Sequence, residues 1–417
     1  MKTPLASEGS FIVDSLLDTD FYKFPMGQFI FNHYPDTEVT FEFMNRTGTP
    51  LARHISESDL RRELDHAMAL RFNNSELHYL RGTNEYGERM FGEPYLQFLK
   101  GVSLPPYELK YRGDNISLRF PGPWRASTYW EIPSLKIMNE LLYRAHLENL
   151  TRFQRDALYA EGQKRLERKI EILRQNSEIS FSDFGTRRAF SVAWHDYVVG
   201  VLAEELPSGQ FRGTSNTLLA MKYGLLPMGT NAHEIQMVMA GLTNGDEELR
   251  ESPHRFLDMW WDDYGEALAI ILPDTFGSPF MMKTISEKNL KRYKGFRQDS
   301  GDPRKECEQW IALYENHGID PRSKLGIPSD GLDLRKMLEL TDMNRERLIM
   351  SHGWGTNLTN DLGVDPVSMV TKAVIANGRG LVKLSNNLAK AMGPEEEIRR
   401  YKQVFGYENK SRVKTVY

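Results

Sequence analysis

From residue 178 onward the chain repeats one pattern six times: a short strand-like apolar run, a polar or glycine-bearing turn, then a helical stretch. The runs are Ile179 to Phe181, Phe211 to Thr214, Ala267 to Leu272, the run ending at Phe296, Leu325 to Pro328 and Leu348 to Met350. Ala267 to Leu272 is continuously apolar, as a strand buried on both faces of a parallel sheet requires. Strands alternating with helices form βα units. Six of them predict an α/β protein with a closed or nearly closed βα barrel, whose active site lies at the C-terminal ends of the strands.

The turns after those runs hold Asp183, Arg187, Arg188, Thr214, Ser215, Asp274, Arg297, Asp299, Asp302, Asp330 and Asp333. Carboxylates in that number point to magnesium held through water, or to sugar hydroxyls. Arginines point to carboxylate or phosphate groups bound bidentately. N-capping accounts for Ser329, Asp330 and Asp274, but basic residues at a helix start oppose the helix dipole, so Arg187, Arg188 and Arg297 call for an anion. The turns Ser329-Asp330-Gly331 and Gly353-Trp354-Gly355-Thr356, read as leading into helices, suit a phosphate bound by backbone amides and helix dipole, although each alone is more often a plain tight turn. One histidine stands out. His233 follows Pro227, Gly229 and the turn or N-cap candidates Thr230 and Asn231, near a predicted helix start marked by Ile235, Met237 and Val238. A histidine there exchanges protons, attacks phosphorus, or makes only a structural hydrogen bond.

The first part of the chain has another grain. Asp18 or Thr19 caps a predicted helix through Phe24 to Ile30, helices are predicted over 55–72 and 88–100, and Tyr107 to Phe120 alternates as a hairpin turned at Gly113-Asp114-Asn115. Pro121-Gly122-Pro123-Trp124 marks a boundary. The expected domains are 1–125, an N-terminal α/β domain, and 126–417, the barrel. A hairpin at Asn377-Gly378 in the tail, about 370–417, either closes the barrel or packs with the N-terminal domain. Leu150 to Arg174 reads as a long, solvated helix of mixed charge.

The chain has 417 residues and a formal net charge of −4, which gives no global attraction for nucleic acid or an acidic membrane. The single cysteine, Cys307, excludes an intrachain disulfide and fits a reducing cytoplasm. No secretory signal is evident, and no run approaches the roughly 18 to 20 apolar residues of a membrane span. The expected location is the cytoplasm.

Several segments resemble the nicotinate phosphoribosyltransferase family: Leu17-Asp18-Thr19-Asp20-Phe21-Tyr22-Lys23, Gly122-Pro123-Trp124, Asp183-Phe184-Gly185-Thr186-Arg187-Arg188, Gly213-Thr214-Ser215-Asn216, Met228-Gly229-Thr230-Asn231-Ala232-His233-Glu234, Arg297-Gln298-Asp299-Ser300-Gly301-Asp302-Pro303 and Gly355-Thr356-Asn357-Leu358-Thr359. The resemblance implies an irregular, incomplete βα barrel with an N-terminal α/β domain, the fold of the type II phosphoribosyltransferases. It implies that nicotinate and 5-phosphoribosyl 1-pyrophosphate give nicotinate mononucleotide and pyrophosphate, with Mg2+ and with ATP hydrolysis coupled through a phosphohistidine at His233. It also implies a homodimer with shared active sites. On these lines Phe184 and Tyr22, the latter from the other subunit, sandwich the pyridine ring, and Arg297 or Arg187 holds its carboxylate. Asp299 serves the ribose hydroxyls or the metal, whose ligands are not otherwise assigned. Thr214 and Ser215 face substrate, with Ser215 favouring the acid over the amide. Ser329, Asp330, Gly331, Gly353, Gly355 and Thr356 hold the 5′-phosphate. Where the family has Lys-Leu-Ser-Asp, this chain has Lys383-Leu384-Ser385-Asn386, so no charge-dependent role is expected of Asn386.

Overall fold

The computed structural model describes residues 10–84 and 89–408. Its strands in chain order are β1 (Glu38–Asn45), β2 (Glu108–Arg112), β3 (Asn115–Pro123), β4 (Phe181–Asp183), β5 (Phe211–Thr214) and β6 (Ile270–Ile271), followed by β7 (Gly295–Gln298), β8 (Leu325–Pro328), β9 (Ile349–Met350), β10 (His352–Trp354), β11 (Met369–Ala376) and β12 (Arg379–Gly380).

β4 to β10 are parallel and make two sheets, ordered β10-β4-β5 and β6-β7-β8-β9. β9 and β10 are one run of chain interrupted at Ser351, with β9 on β8 and β10 on β4. The strands therefore follow one another around an arc, extended past β5 by a parallel bridge from Thr214 to Pro227. The remaining seam, between that segment and β6, carries no ladder, but the Asn231 side chain crosses it to donate to the Ile270 carbonyl at 3.3 Å. The result is an incomplete, irregular barrel rather than the closed one that six βα units allow. Its strands are short and buried, and the helices between them supply much of the hydrophobic face, including the fully buried Trp194, Trp260 and Trp310.

The tail returns to the beginning of the chain. β11 pairs antiparallel with β1, in a sheet ordered β12-β11-β1-β3-β2. Asn377 and Gly378 turn β11 into β12 with φ of 45° and 78°, the left-handed conformation a tight hairpin needs. The hairpin is shorter than predicted: β12 ends at Gly380, the Leu381 amide still donates to the Val374 carbonyl at 2.9 Å, and Lys383 and Leu384 reach the strand ends of the barrel. The helix Glu131–Glu148 is buried almost all round and packs against β11, which makes it a shared core element. The predicted hairpin at 107–120 forms as β2 and β3, and the helix predicted over 55–72 forms as Glu57–Ala69. The segment predicted helical over 88–100 becomes Glu93–Gly101, with Glu88 outside the described residues. The helix Asn74–Arg81, secured by a capping box between Asn73 and Glu76, was not anticipated. No helix among the described residues is long and apolar enough to cross a membrane.

Candidate active site

A cavity opens at the C-terminal ends of the barrel strands. Phe184, Arg187, His233, Arg297, Asp299, Ser329, Asp330, Gly331, Gly355 and Thr356 line it, all residues singled out in the sequence. They come from segments up to 172 positions apart: Arg297 stands near the end of β7, His233 opens a helix, and the others follow strand ends.

The turn after β4 is built around a buried carboxylate. Asp183 accepts from His195 Nε2 and Thr214 Oγ1, both at 2.6 Å, and from the Gly185 amide at 2.7 Å. Those donors, with the His195 charge, hold it below the usual carboxylate range despite full burial. The turn thus presents Phe184 and Arg187 on a fixed backbone. Gly353 lies beneath Phe184: a Cβ there would come within 2.5 Å of the ring. Gly353 therefore makes room for the aromatic and does not line the cavity.

His233 is the first residue of the helix His233–Gly241. Its N-cap is Ala232, not Thr230 or Asn231. The imidazole is 3% exposed, with Nδ1 2.9 Å from Thr275 Oγ1 and Nε2 2.8 Å from Asp299 Oδ2. Burial, then the Lys383 charge, pushes its pKa down to about 4, and the helix start disfavours a cation as well. The ring is neutral at physiological pH. Thr275 is held in turn, its carbonyl accepting from the Leu384 amide at 2.9 Å.

Around this histidine sits a group that the sequence did not assemble. Asp274 Oδ1 lies 3.6 Å from His233 Nε2, buried and without a hydrogen-bond partner, while Oδ2 accepts from Ser300. Asp274 is therefore no simple helix cap. Potential ligand atoms of His233, Asp274 and Asp299 lie within 4.8 Å of one another, and two oxygen donors facing one point fit a hard divalent cation. Lys383 is 3.9 Å from Asp299 and 4.0 Å from Asp274, and burial lowers its pKa to about 8. Lys390 pairs with Asp330 at 2.7 Å. Asn386 donates to Ser278 Oγ at 2.7 Å and to Glu306 at 3.0 Å, and burial pushes Glu306 up to about 8.

Three readings need correction. Ser215 lies behind the cavity wall, 4% exposed, with its hydroxyl donating to Asp20 at 2.7 Å and 3.1 Å from Thr186 Oγ1, so it has no proton to offer a substrate carboxylate there. Thr214 is fully buried and spends its hydroxyl on Asp183. The phosphate turns are also not helix N-termini of any length. Asp333, not Gly331, precedes and caps the helix Leu334–Met343, and Thr356–Thr359 is a single turn with little dipole. Anion attraction comes instead from cations. Arg46, Arg188, Lys372, Lys383 and Lys390 join Arg187 and Arg297 around the cavity, against the carboxylates Asp299 and Asp330. Tyr22 is 8% exposed and does not line the cavity in its own chain; its hydroxyl donates to Glu131 at 3.2 Å, and the Arg187 guanidinium lies 5.9 Å from its ring centre.

An open βα barrel with a cation-rich cavity at its strand ends, an aromatic ring at the wall and a neutral histidine between carboxylates belongs to the class of enzymes that handle phosphorylated metabolites. The comparisons narrow the class. Residues 17–139 match the nicotinate phosphoribosyltransferase (NAPRTase) N-terminal domain, and residues 179–409 match the nicotinate phosphoribosyltransferase (NAPRTase) family. The chain belongs to that family. Among solved structures it is similar to nicotinate phosphoribosyltransferase from Vibrio cholerae, at 29% identity and a TM-score of 0.86, covering 96% of this chain and 95% of that one. It is also similar to nicotinate phosphoribosyltransferase from Porphyromonas gingivalis, at 28% identity and a TM-score of 0.84, covering 95% and 100%.

Proposed function

We propose that this chain is the nicotinate phosphoribosyltransferase of NAD salvage. It converts nicotinate and 5-phosphoribosyl 1-pyrophosphate to nicotinate mononucleotide and pyrophosphate, and couples this to ATP hydrolysis through His233. The observation that carries the reading is His233 itself: a buried, neutral imidazole braced by Thr275 and Asp299 at the lining of a cation-rich cavity.

A neutral imidazole has a lone pair for phosphorus. In the coupling step it bonds to the γ-phosphorus of ATP as the bridging oxygen departs with ADP, and hydrolysis of the N–P bond releases phosphate. In the main reaction the pyridine nitrogen of nicotinate bonds to C1 of the ribose as pyrophosphate leaves. Phe184 supplies a flat face for the ring. Arg297 and Arg187 hold carboxylate or phosphate oxygens, and the selectivity for the acid that was assigned to Ser215 passes to them. The sugar becomes cationic in the transition state, where the Asp299 carboxylate stabilises it. Lys390, with Gly331, Gly355 and Thr356, takes the 5′-phosphate. Asp274 and Asp299 would hold magnesium, which would supply charge neutralisation for pyrophosphate. A homodimer with shared sites belongs to the same reading.

The test is protein labelling with γ-labelled ATP. An acid-labile label is expected on the wild type and none on His233→Ala; label that persists in the variant contradicts the assignment.

A further inference from the structure

Glu131 opens the buried helix Glu131–Glu148, with a side chain 2% exposed. Its two oxygens have different company. Oε2 faces inward, 2.6 Å from Lys23 Nζ and 3.2 Å from the Tyr22 hydroxyl. Lys23, wholly buried, is shared with Glu234 at 2.6 Å, so this side of Glu131 belongs to a closed internal network. Oε1 faces the cavity side and accepts from two cations, Lys372 Nζ at 2.8 Å and Arg187 Nη1 at 3.2 Å.

Both of those cations line the cavity, and they come from opposite parts of the fold: Arg187 from the turn after β4, Lys372 from β11. Two positive groups converging on one wall repel each other. A single carboxylate oxygen between them offsets that repulsion and fixes both side chains. Arg187 has five N–H groups, with Nε 3.4 Å from Asp20 Oδ2 and Nη1 on Glu131, and Lys372 has three on its ammonium, so each keeps donors for a ligand. Burial lowers the Lys372 pKa, and the Glu131 carboxylate beside it opposes that shift.

We infer that Glu131 is a positioning residue: it holds Arg187 and Lys372 as a pair of charged donors on one cavity wall, where together they take an anionic oxygen group of a substrate. The group is the carboxylate of nicotinate or a phosphate of 5-phosphoribosyl 1-pyrophosphate. The inference rests on the proposed reaction, and the wild-type rate tests that separately: a wild type that makes no nicotinate mononucleotide removes the reaction, whereas an active wild type with an indifferent Glu131→Gln variant removes only this inference.

In Glu131→Gln, of native circular dichroism, the KM for at least one of the two substrates rises about fivefold or more while kcat stays within about twofold. The substrate whose KM moves identifies the group held. Glu131→Asp, which keeps the charge, recovers a substantial part of the loss. In a double-mutant cycle with Lys372→Met, the combined variant is less impaired than the product of the single effects, because Glu131 acts through Lys372. Unchanged KM values for both substrates in folded Glu131→Gln overturn the inference, as do single effects that simply multiply. If Glu131→Gln does not fold, Lys372→Met carries the test: a KM rise of about fivefold for either substrate supports the pairing, and two unchanged KM values overturn it.

Discussion

At the scale of single residues the site depends on which groups are charged. Arg297 is held by the Asn231 carbonyl at 3.3 Å and by Asp299 at 3.5 Å, long contacts that leave its guanidinium available to an anion. Arg297→Ala is expected to lower kcat/KM at least tenfold, about 1.4 kcal/mol of transition-state stabilisation; wild-type kinetics in that variant count against its role. His233 gives a pH signature. Its folded pKa of about 4 lies below the ordinary 6.5, so the unfolded chain binds more protons between those values. Stability from the neutral ring is fully present above pH 6.5 and is lost as pH falls toward 4. Thermal melts of wild type and His233→Gln across that window should show a steeper acid loss in wild type; equal slopes contradict the burial argument. Residue type alone picked out His233, Arg297 and Asp299, because their chemistry is unusual beside glycine turns. The family resemblance misplaced Ser215, whose hydroxyl is spent on Asp20, 195 positions away. Residue type also read Asp274 as a helix cap and left out the tail lysines, since nothing local says which cavity they enter.

At the scale of elements the βα rhythm was readable because short buried strands must be apolar and the turns after them polar. The seam was not. It depends on Asn231, read as a possible cap, reaching the Ile270 carbonyl in place of a strand ladder. The destination of β11 was open for a related reason: a hairpin signal is local, whereas pairing with β1 is a contact across more than 300 residues. The bulge between β4 and β5 depends on Gly213, whose φ of 144° and close approach to the Leu226 carbonyl exclude a side chain; a Cβ would lie 2.1 Å from that oxygen. Gly213→Ala should destabilise the fold by roughly 3 kcal/mol, combining strain with a displaced strand. Denaturant unfolding measures it, and a change below about 1 kcal/mol would mean the bulge yields more easily than its geometry implies.

At the scale of the molecule, a chain of net charge −4 gathers seven lysines and arginines around one cavity, against two carboxylates. That contrast favours small polyanions over large ones. The Lys23–Glu131–Lys372 network and the return of β11 tie the N-terminal sheet to the barrel, so both regions supply cavity residues. The reaction proposed for this cavity joins a pyridine carboxylate to a phosphoribosyl group. It is tested most directly by incubating the purified protein with labelled nicotinate, 5-phosphoribosyl 1-pyrophosphate and magnesium, with and without ATP. Labelled nicotinate mononucleotide is expected, formed faster with ATP and severalfold faster than the corresponding product from nicotinamide. No labelled nucleotide under any of these conditions, or a preference for nicotinamide, would contradict it.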